Sequence, residues 1–266
     1  ASIVRSYLQH GLSHLGQPLK LFYMGPFFRK EQPQAGRFRQ FHQAGFEIMG
    51  GDDDPVYDAQ AILAIYRFLE RLKLKNLALH INSIGCRVCR PNYRKKLIDY
   101  YKTLADKLCR DCRRRLKENP LRLLDCKNSS CQEYKEGAPI ILDSLCVTCS
   151  RHFKRVLEFL EELELPYQLD NYLVRGLDYY NRTVFEIFTN LVTEEGNKFD
   201  FALASGGRYD YLMELFGARQ SAGVGGAVGL ERVLEVMKAM KVNLGIRSKS
   251  EIFFIHIGEF AKKKSL

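Results

Sequence analysis

The sequence predicts an α+β chain in which a strand-rich core is interrupted by a cysteine-rich helical segment. Three stretches carry that prediction. Residues 21–50, LFYMGPFFRKEQPQAGRFRQFHQAGFEIMG, run apolar, then polar with Gly and Pro, then apolar again, the pattern of two antiparallel strands joined by a long basic loop. Residues 85–165 shift to Cys, Arg, Lys and charged helical runs, and all eight cysteines fall between positions 86 and 149. After Pro166 the strand pattern returns, and it closes on SAGVGGAVGLERVLEVMKAM, a glycine-rich strand running into a helix.

In chain order, ASIVRSYLQHGLSHL (1–15) has apolar residues at helical spacing and predicts a short helix. GDDDP (51–55) is a helix entry, acidic with Pro in the first turn, and leads into an amphipathic helix over 55–73. LALHINSIG (77–85) alternates as a strand. Within the insertion, YRKKLIDYYKTLADKLC predicts one helix and SRHFKRVLEFLEELEL another, with the cysteine-rich loops on either side. YQLDNYLVRGLDYYNRTVFEIFTN predicts strand, and FALASGGRY a strand entering a Gly-Gly turn, followed by a short helix through Phe216. Gly223, Gly225, Gly226 and Gly229 are too many for a helix start and let backbone or ligand approach closely. The chain starts at Ala1 in a helix-like run and ends on EIFFIHIGEFAKKKSL, so a fragment of a longer protein is expected.

Composition bounds the function classes. A chain of 266 residues with 46% hydrophobic content builds one large domain or a domain with a sizeable insertion. The net charge of +10 favours a polyanionic partner. There is no bilayer-length apolar run and no signal-like apolar stretch, so a membrane partner is not expected and a cytoplasmic location is. In that reducing compartment six cysteines in C-x-x-C pairs favour metal over disulfides. In the hairpin, Arg29, Lys30, Arg37 and Arg39 surround Glu31, while Gln43 and Glu47 interleave with Phe46 and Ile48 on the returning strand. A half-buried carboxylate at Glu47 requires a partner. The hairpin is thus predicted to hold a polyanion at its loop end and a polar, cationic small molecule at its far end.

YMGPFFRKEQPQAGRFRQFHQAGFEIMG resembles motif 2 of the class II aminoacyl-tRNA synthetases, in the form of the histidyl-tRNA synthetase family. LVRGLDYYNRTVFE resembles that family's histidine signature, SGGRYDYL its second one, and GVGGAVGLERVL motif 3. The resemblance implies an antiparallel sheet flanked by helices, with a class II catalytic core at 1–84 and 166–248. Residues 85–165 would be the insertion, and 249–266 the linker and first strand (Ile252–Ile257) of a C-terminal anticodon-binding domain. It implies a homodimeric enzyme that activates L-histidine with ATP and transfers histidine to tRNA(His). Mg2+ is expected with ATP because a triphosphate is normally metal-bound.

By position, the resemblance makes Arg29 the bridge between α-phosphate and amino-acid carboxylate, Glu31 a partner of the adenine amino group, and Arg37 a ligand of the distal phosphates. Arg232 would face the ATP phosphates, and Arg175 would stand opposite Arg29 at the α-phosphate; Arg29, Arg175 and Arg232 are the expected catalytic residues. Gln43 would hold the histidine α-amino group, Glu47 and Tyr180 the two imidazole nitrogens, and Tyr179, Arg175 and Gly206 would line the same pocket. Gly206, Gly207 and Arg208 are expected in a tight turn beside it, and His42 as an orienting residue. Gln32 replaces the family's usual arginine, and Gly226 an aromatic, which would thin the ATP cleft wall. Motif 1 is absent, and the resemblance places a Pro-Glu-Gly-Thr segment before Ala1, so the chain alone is expected to be incomplete for activity.

Cys86/Cys89, Cys109/Cys112, Cys126/Cys131 and Cys146/Cys149 give four short-range pairs. Two pairs make one all-cysteine structural zinc site. Eight cysteines suffice for two sites, or for one with spare thiols; the alternative is a reduced cysteine-rich core. The basic run Arg113–Arg115 is expected to contact tRNA phosphates, since the family's insertion lies near the acceptor arm. The other functional reading is a synthetase-like regulatory subunit of ATP phosphoribosyltransferase in histidine biosynthesis. Retention of Arg29, Arg175 and Arg232 argues against it.

Overall fold

The computed structural model describes residues 1–30, 38–192, 196, 198, 199, 201–243 and 255–264. Glu31, Gln32, Arg37 and residues 252–254 of the expected strand Ile252–Ile257 lie outside the described residues, and residues 255–257 are not in a strand. Among those described, seven strands form one sheet: β1 (Leu19–Phe28), β2 (Gln40–Met49), β3 (Leu77–Ser83), β4 (Tyr167–Leu169), β5 (Asn181–Thr189), β6 (Ala204–Arg208) and β7 (Gly223–Gly229). Their order is β1-β2-β7-β6-β5-β3-β4. Every pair is antiparallel except β3–β4, so the antiparallel sheet implied by the resemblance carries one parallel edge.

Period-two alternation gives the sheet two different faces. One face bears Phe46, Phe185, Ile187, Ala204 and Val228 and is covered by α2 (Val56–Arg71), α6 (Val147–Glu162) and α7 (Leu230–Ala239). α2 starts where Asp54 Oδ1 accepts the Val56 N–H at 2.9 Å, and buries Ala59, Ile62, Ile65 and Leu69 at helical spacing. The other face carries Gln43 and Glu47 of β2 opposite Gly229 and Gly225 of β7. It is bordered by α1 (Ser2–Gln9) and by the insertion helices α3 (Cys89–Lys102), α4 (Arg110–Glu118) and α5 (Ser129–Gln132). Residues 259–264 form α8.

The insertion is not packed apart from the sheet. Tyr93, Leu97, Tyr101, Leu123 and Leu124 share one buried cluster with Leu173, Tyr180 and Tyr209. Phe153, Val156 and Leu160 of α6 join the α2 cluster. Three local expectations change. The helix expected over 93–109 stops at Lys102, where Thr103 donates its hydroxyl to Tyr100 O at 2.7 Å, and a 3-10 turn follows. The strand pattern after Pro166 is split by an irregular segment, 170–180, which carries the LVRGLDYY sequence. Gly206 and Gly207 lie inside β6, not in a turn.

Candidate active site

The site is built on the open face of β2, β7, β6 and β5. Glu47 lies opposite Gly225 in the β2–β7 register. A Cβ on Gly225 would stand 1.9 Å from Glu47 Oε2, so only glycine there lets the carboxylate lie across the strand. Tyr209 donates its hydroxyl to Glu47 Oε2, and Tyr23 also bonds the carboxylate. Burial pushes the Glu47 pKa up to about 7, while the Tyr209 and Tyr23 hydroxyls pull it down. The Tyr179, Tyr180 and Tyr209 rings close around this carboxylate, with centroids 4.6 Å (179–180), 6.3 Å (179–209) and 6.5 Å (180–209) apart.

Tyr209 was not singled out from sequence. Its signal was present in the alternation that puts it two residues beyond Gly207. A Cβ on Gly207 would meet the Tyr180 ring at 3.0 Å, whereas one on Gly206 would meet Gly225 O at 2.2 Å and the Phe185 ring at 2.6 Å. The space kept open by Gly206 is therefore on the helix-covered face, and Gly207 is the glycine that borders the tyrosine pocket. Gly226 likewise abuts Ile65 and Phe185, so its missing side chain leaves room under α2 and does not thin a cleft wall.

Next to this tyrosine cluster opens a cleft of about 1090 Å3 lined by Arg29, Gln43, Arg175, Glu186, Ser205 and Arg232, among others. Arg175 joins the two regions: its guanidinium lies 5.7 Å from the Tyr180 ring centre, pairs with Glu186, and donates to Ser205 Oγ at 2.9 Å. Burial raises the Glu186 pKa, and Arg175 opposes that shift. Arg29 stacks over Phe41 at 3.8 Å, and its buried Nε has no hydrogen-bond partner among the described residues. The Arg29 N–H donates to Arg39 O at 2.8 Å, holding the two strands together at the loop end. Arg232 donates to Ala202 O at 2.7 Å and lies 5.1 Å from the Phe201 ring centre. His42 Nδ1 lies 2.9 Å from Glu231 Oε1, and the His42 N–H donates to the same carboxylate, which fixes the start of α7 to β2.

Arg208 is not at the tyrosine pocket. It is 1% exposed and donates Nε to Asp58 Oδ2 at 3.0 Å, Nη1 to Asp210 Oδ1 at 3.0 Å and Nη2 to Asp54 O at 3.1 Å. Burial alone would lower its pKa, but Asp58 and Asp210 raise it above the usual arginine range. The arginine is a buried tie between β6 and the start of α2.

The eight thiols fall into two groups. Cys86, Cys89, Cys146 and Cys149 form one, Cys109, Cys112, Cys126 and Cys131 the other, and within each group all Sγ atoms lie within 4.8 Å of one another. Sγ···Sγ distances of 3.7 Å (86–89), 3.9 Å (86–146) and 3.9 Å (109–126) are far beyond a disulfide bond. They match a tetrahedron of thiolates, since a Zn–S length near 2.3 Å sets its edges at about 3.8 Å. Backbone N–H groups point at the sulfurs, from Val88 to Cys86 at 3.3 Å, Cys146 to Cys89 at 3.1 Å and Cys109 to Cys131 at 3.2 Å. At Cys86 burial alone would raise the thiol pKa, but the surrounding donors outweigh it and bring it down to about 7, whereas at Cys89 burial wins and raises it. Both groups could hold a metal ion. Of the basic run, Arg113 donates to Leu108 O at 2.9 Å, Arg115 to Arg122 O at 3.1 Å, and Arg114 to Asp111 Oδ1 at 3.2 Å. Arg114 Nε also lies 3.9 Å from Glu118 Oε2, so all three guanidinium groups are partly engaged within the insertion.

The sequence matches the profile of the family described as histidyl-tRNA synthetase over residues 1–233. Histidine–tRNA ligase of Desulfitobacterium hafniense is 43% identical over 264 residues, 99% of this chain and 61% of that protein. The Desulforudis audaxviator histidine–tRNA ligase is 50% identical over 234 residues, 88% of this chain and 54% of that protein. The chain thus spans roughly three-fifths of the length of these relatives. The crystal structure of apo S. aureus histidyl-tRNA synthetase superposes with a TM-score of 0.74 at 31% identity, covering 99% of this chain and 62% of that one. Over one sheet that carries a carboxylate–tyrosine pocket beside an arginine-lined cleft, the chain belongs to the histidyl-tRNA synthetase family.

Proposed function

We propose that the protein is the catalytic part of a histidine–tRNA ligase: it activates L-histidine with ATP and transfers the histidyl group to tRNA(His). The observation that carries the proposal is the continuity of the two regions through Arg175, which lines the cleft while its guanidinium lies over Tyr180. In the first step a histidine carboxylate oxygen attacks the α-phosphorus, and pyrophosphate leaves with the electron pair of the broken P–O bond. Arg29 and Arg175 would grip the phosphoryl oxygens from two sides, and Arg232 the phosphate chain, supplying charge where it develops. Gln43 would hold the α-amino group. Glu47 would accept one imidazole N–H and Tyr180 donate to the other nitrogen, a polar complementarity that rejects apolar isosteres. In the second step a terminal ribose hydroxyl of tRNA attacks the acyl carbon and AMP leaves. Glu31 and Arg37, the expected ATP ligands of the hairpin loop, remain proposals on the resemblance alone.

Further readings belong to the same proposal. Mg2+ would accompany ATP. Zn2+ would occupy the two thiol groups as a structural ion. A homodimer is supported by edge strand β1, which leaves Phe22, Met24 and Phe28 81%, 74% and 74% exposed along one row. A cytoplasmic location fits the reaction; no helix among the described residues is long and apolar enough to cross a membrane. The regulatory-subunit reading gains a fold precedent from a Bacillus halodurans C ATP phosphoribosyltransferase regulatory subunit/histidyl-tRNA synthetase, with a TM-score of 0.58 at 23% identity. It leaves Arg29, Arg175 and Arg232 without a task.

Histidine-dependent ATP–pyrophosphate exchange by the full-length protein tests the proposal; a folded protein without exchange overturns it. Arg175→Lys keeps a charge but loses the fork, and is expected to lower kcat of exchange about 100-fold with KM for histidine within threefold.

A further inference from the structure

The cleft has a second wall that the family motifs do not supply. Arg122, Asp125 and Lys127, all from the insertion, line the same cavity as Arg29, Arg175 and Arg232. They bracket Cys126, a member of the group Cys109, Cys112, Cys126 and Cys131, the inner of the two thiol groups; Cys86, Cys89, Cys146 and Cys149, at the root of the insertion, are the outer one. Arg122 is half-buried, and its buried Nε has no hydrogen-bond partner among the described residues, while its carbonyl is held by Arg115. The segment is short and rigidly referenced. Leu123 and Leu124 are buried at 3% and 2% exposure, and Cys126 Sγ accepts the Asn128 N–H at 3.4 Å. Of the other carboxylates that line the cleft, Glu186 is engaged with Arg175 and Glu231 with His42, which leaves Glu235; Glu186 also feels the charges of Asp125 and Lys127. The insertion wall itself offers two cations against the single carboxylate of Asp125.

We propose that the inner thiol group is a metal-held brace that presents Arg122 and Lys127 to a phosphate group bound in the reaction cleft. A metal bound to Cys126 would fix its two flanks, because a ligated cysteine allows its neighbours little freedom, and so would set Lys127 on the cleft wall. Arg122, one turn earlier, offers a planar fork suited to two phosphate oxygens, whereas Lys127 acts as a point charge. The phosphate has two available sources, the nucleotide triphosphate and the acceptor strand of tRNA, and both present the same oxyanion chemistry. The inference rests on the proposed ligase activity for the identity of the phosphate, but not for its existence.

The test is the double variant Arg122→Gln/Lys127→Gln in the full-length protein, with Cys126→Ser beside it. Binding of inorganic tripolyphosphate at low salt, followed by calorimetry, is expected to weaken about tenfold in the double variant at unchanged metal content and Tm. A rise of similar size in KM for ATP, with KM for histidine within twofold, identifies the nucleotide as the source. A rise in KM for tRNA alone identifies the acceptor strand. Changes below twofold in all three quantities overturn the proposal. Cys126→Ser is expected to lose one metal ion per chain and to reproduce the weakened tripolyphosphate binding; loss of the ion with full binding overturns the brace. Wild-type protein that binds tripolyphosphate through these residues yet shows no histidine-dependent exchange would sink the ligase reading and leave this one standing.

Discussion

At Glu47, two tyrosine hydroxyls do not offset burial, and the carboxyl pKa stays at about 7. The sign of the consequence is fixed. A carboxyl whose folded pKa exceeds its unfolded value binds more protons in the folded state, so stability falls as pH rises from about 4.5 to about 7. Glu47→Gln removes that loss, and is expected to stabilise the unliganded protein at pH 8 relative to pH 5 by on the order of 2–3 kcal/mol. Differential scanning calorimetry of both proteins at the two pH values measures it; parallel Tm curves would refute it. The same variant should raise KM for histidine at least tenfold at pH 8, because a neutral amide cannot give the imidazole N–H a charged acceptor. The need for a partner was legible in the sequence from a carboxylate on an otherwise alternating strand. That the partners are Tyr209 and Tyr23 was not: Tyr209 comes from a distant part of the chain, Gly225 leaves room for the Glu47 carboxylate, and Tyr23 reaches it from the neighbouring strand over the bare backbone of Gly45.

Strands β6 and β7 come together so closely at Gly206 that a side chain has no place to go. A Cβ there meets carbonyl oxygen of the neighbouring strand at 2.2 Å, and backbone cannot swing aside as a flexible side chain can. Gly206→Ala is therefore expected to destabilise by about 2–3 kcal/mol, measured by urea denaturation, with the Gly225→Ala variant differing in kind. At Gly225 the obstruction includes the Glu47 carboxylate, so histidine binding should suffer along with stability. If Gly206→Ala folds with wild-type stability, the sheet spacing is looser than described. Elements with a single strong period were legible: α2 and β7–α7 lie where helical spacing and glycines predict them, and α6 lies within three residues of its expected bounds. Elements decided by tertiary contacts were not. The helix expected through 109 ends at Lys102, and LVRGLDYY is irregular, its start held by Asn82, which donates to Asn171 O at 3.2 Å and Leu173 O at 3.0 Å. Arg208 looked like a pocket residue from its place after Gly206 and Gly207, yet its partners Asp58 and Asp210 draw it into the interior. The Arg175–Glu186 pair is likewise a long-range contact that no local pattern announces.

Over the whole molecule, the composition shift that marks 85–165 does not coincide with a break in packing, and this makes the two thiol groups unequal. The outer group, Cys86, Cys89, Cys146 and Cys149, sits at the root of the insertion, just beyond β3 and at the start of α6. Arg90, the residue after Cys89, donates Nε to Ile84 O at 3.1 Å and Nη2 to the carbonyl of Tyr180. That contact ties the outer group to the backbone of a tyrosine facing Glu47. The inner group touches the cleft instead, through the neighbours of Cys126. Metal analysis is accordingly expected to find two zinc ions per chain, and Cys89→Ser and Cys126→Ser to lose one each. Their kinetic effects should separate. Cys89→Ser is expected to raise KM for histidine about tenfold, roughly 1.4 kcal/mol of binding energy, by freeing Arg90 and the Tyr180 carbonyl, with phosphate affinity little changed. Cys126→Ser should do the reverse. Arg90→Lys, which leaves all eight thiols in place, should reproduce the histidine defect at full zinc content, because an ammonium cannot span both carbonyls as the guanidinium does. If Arg90→Lys binds histidine normally while Cys89→Ser does not, the outer ion acts by holding the fold together and not through Tyr180. If the two cysteine variants lose histidine and phosphate affinity equally, the groups form a single structural unit and the division of labour is wrong.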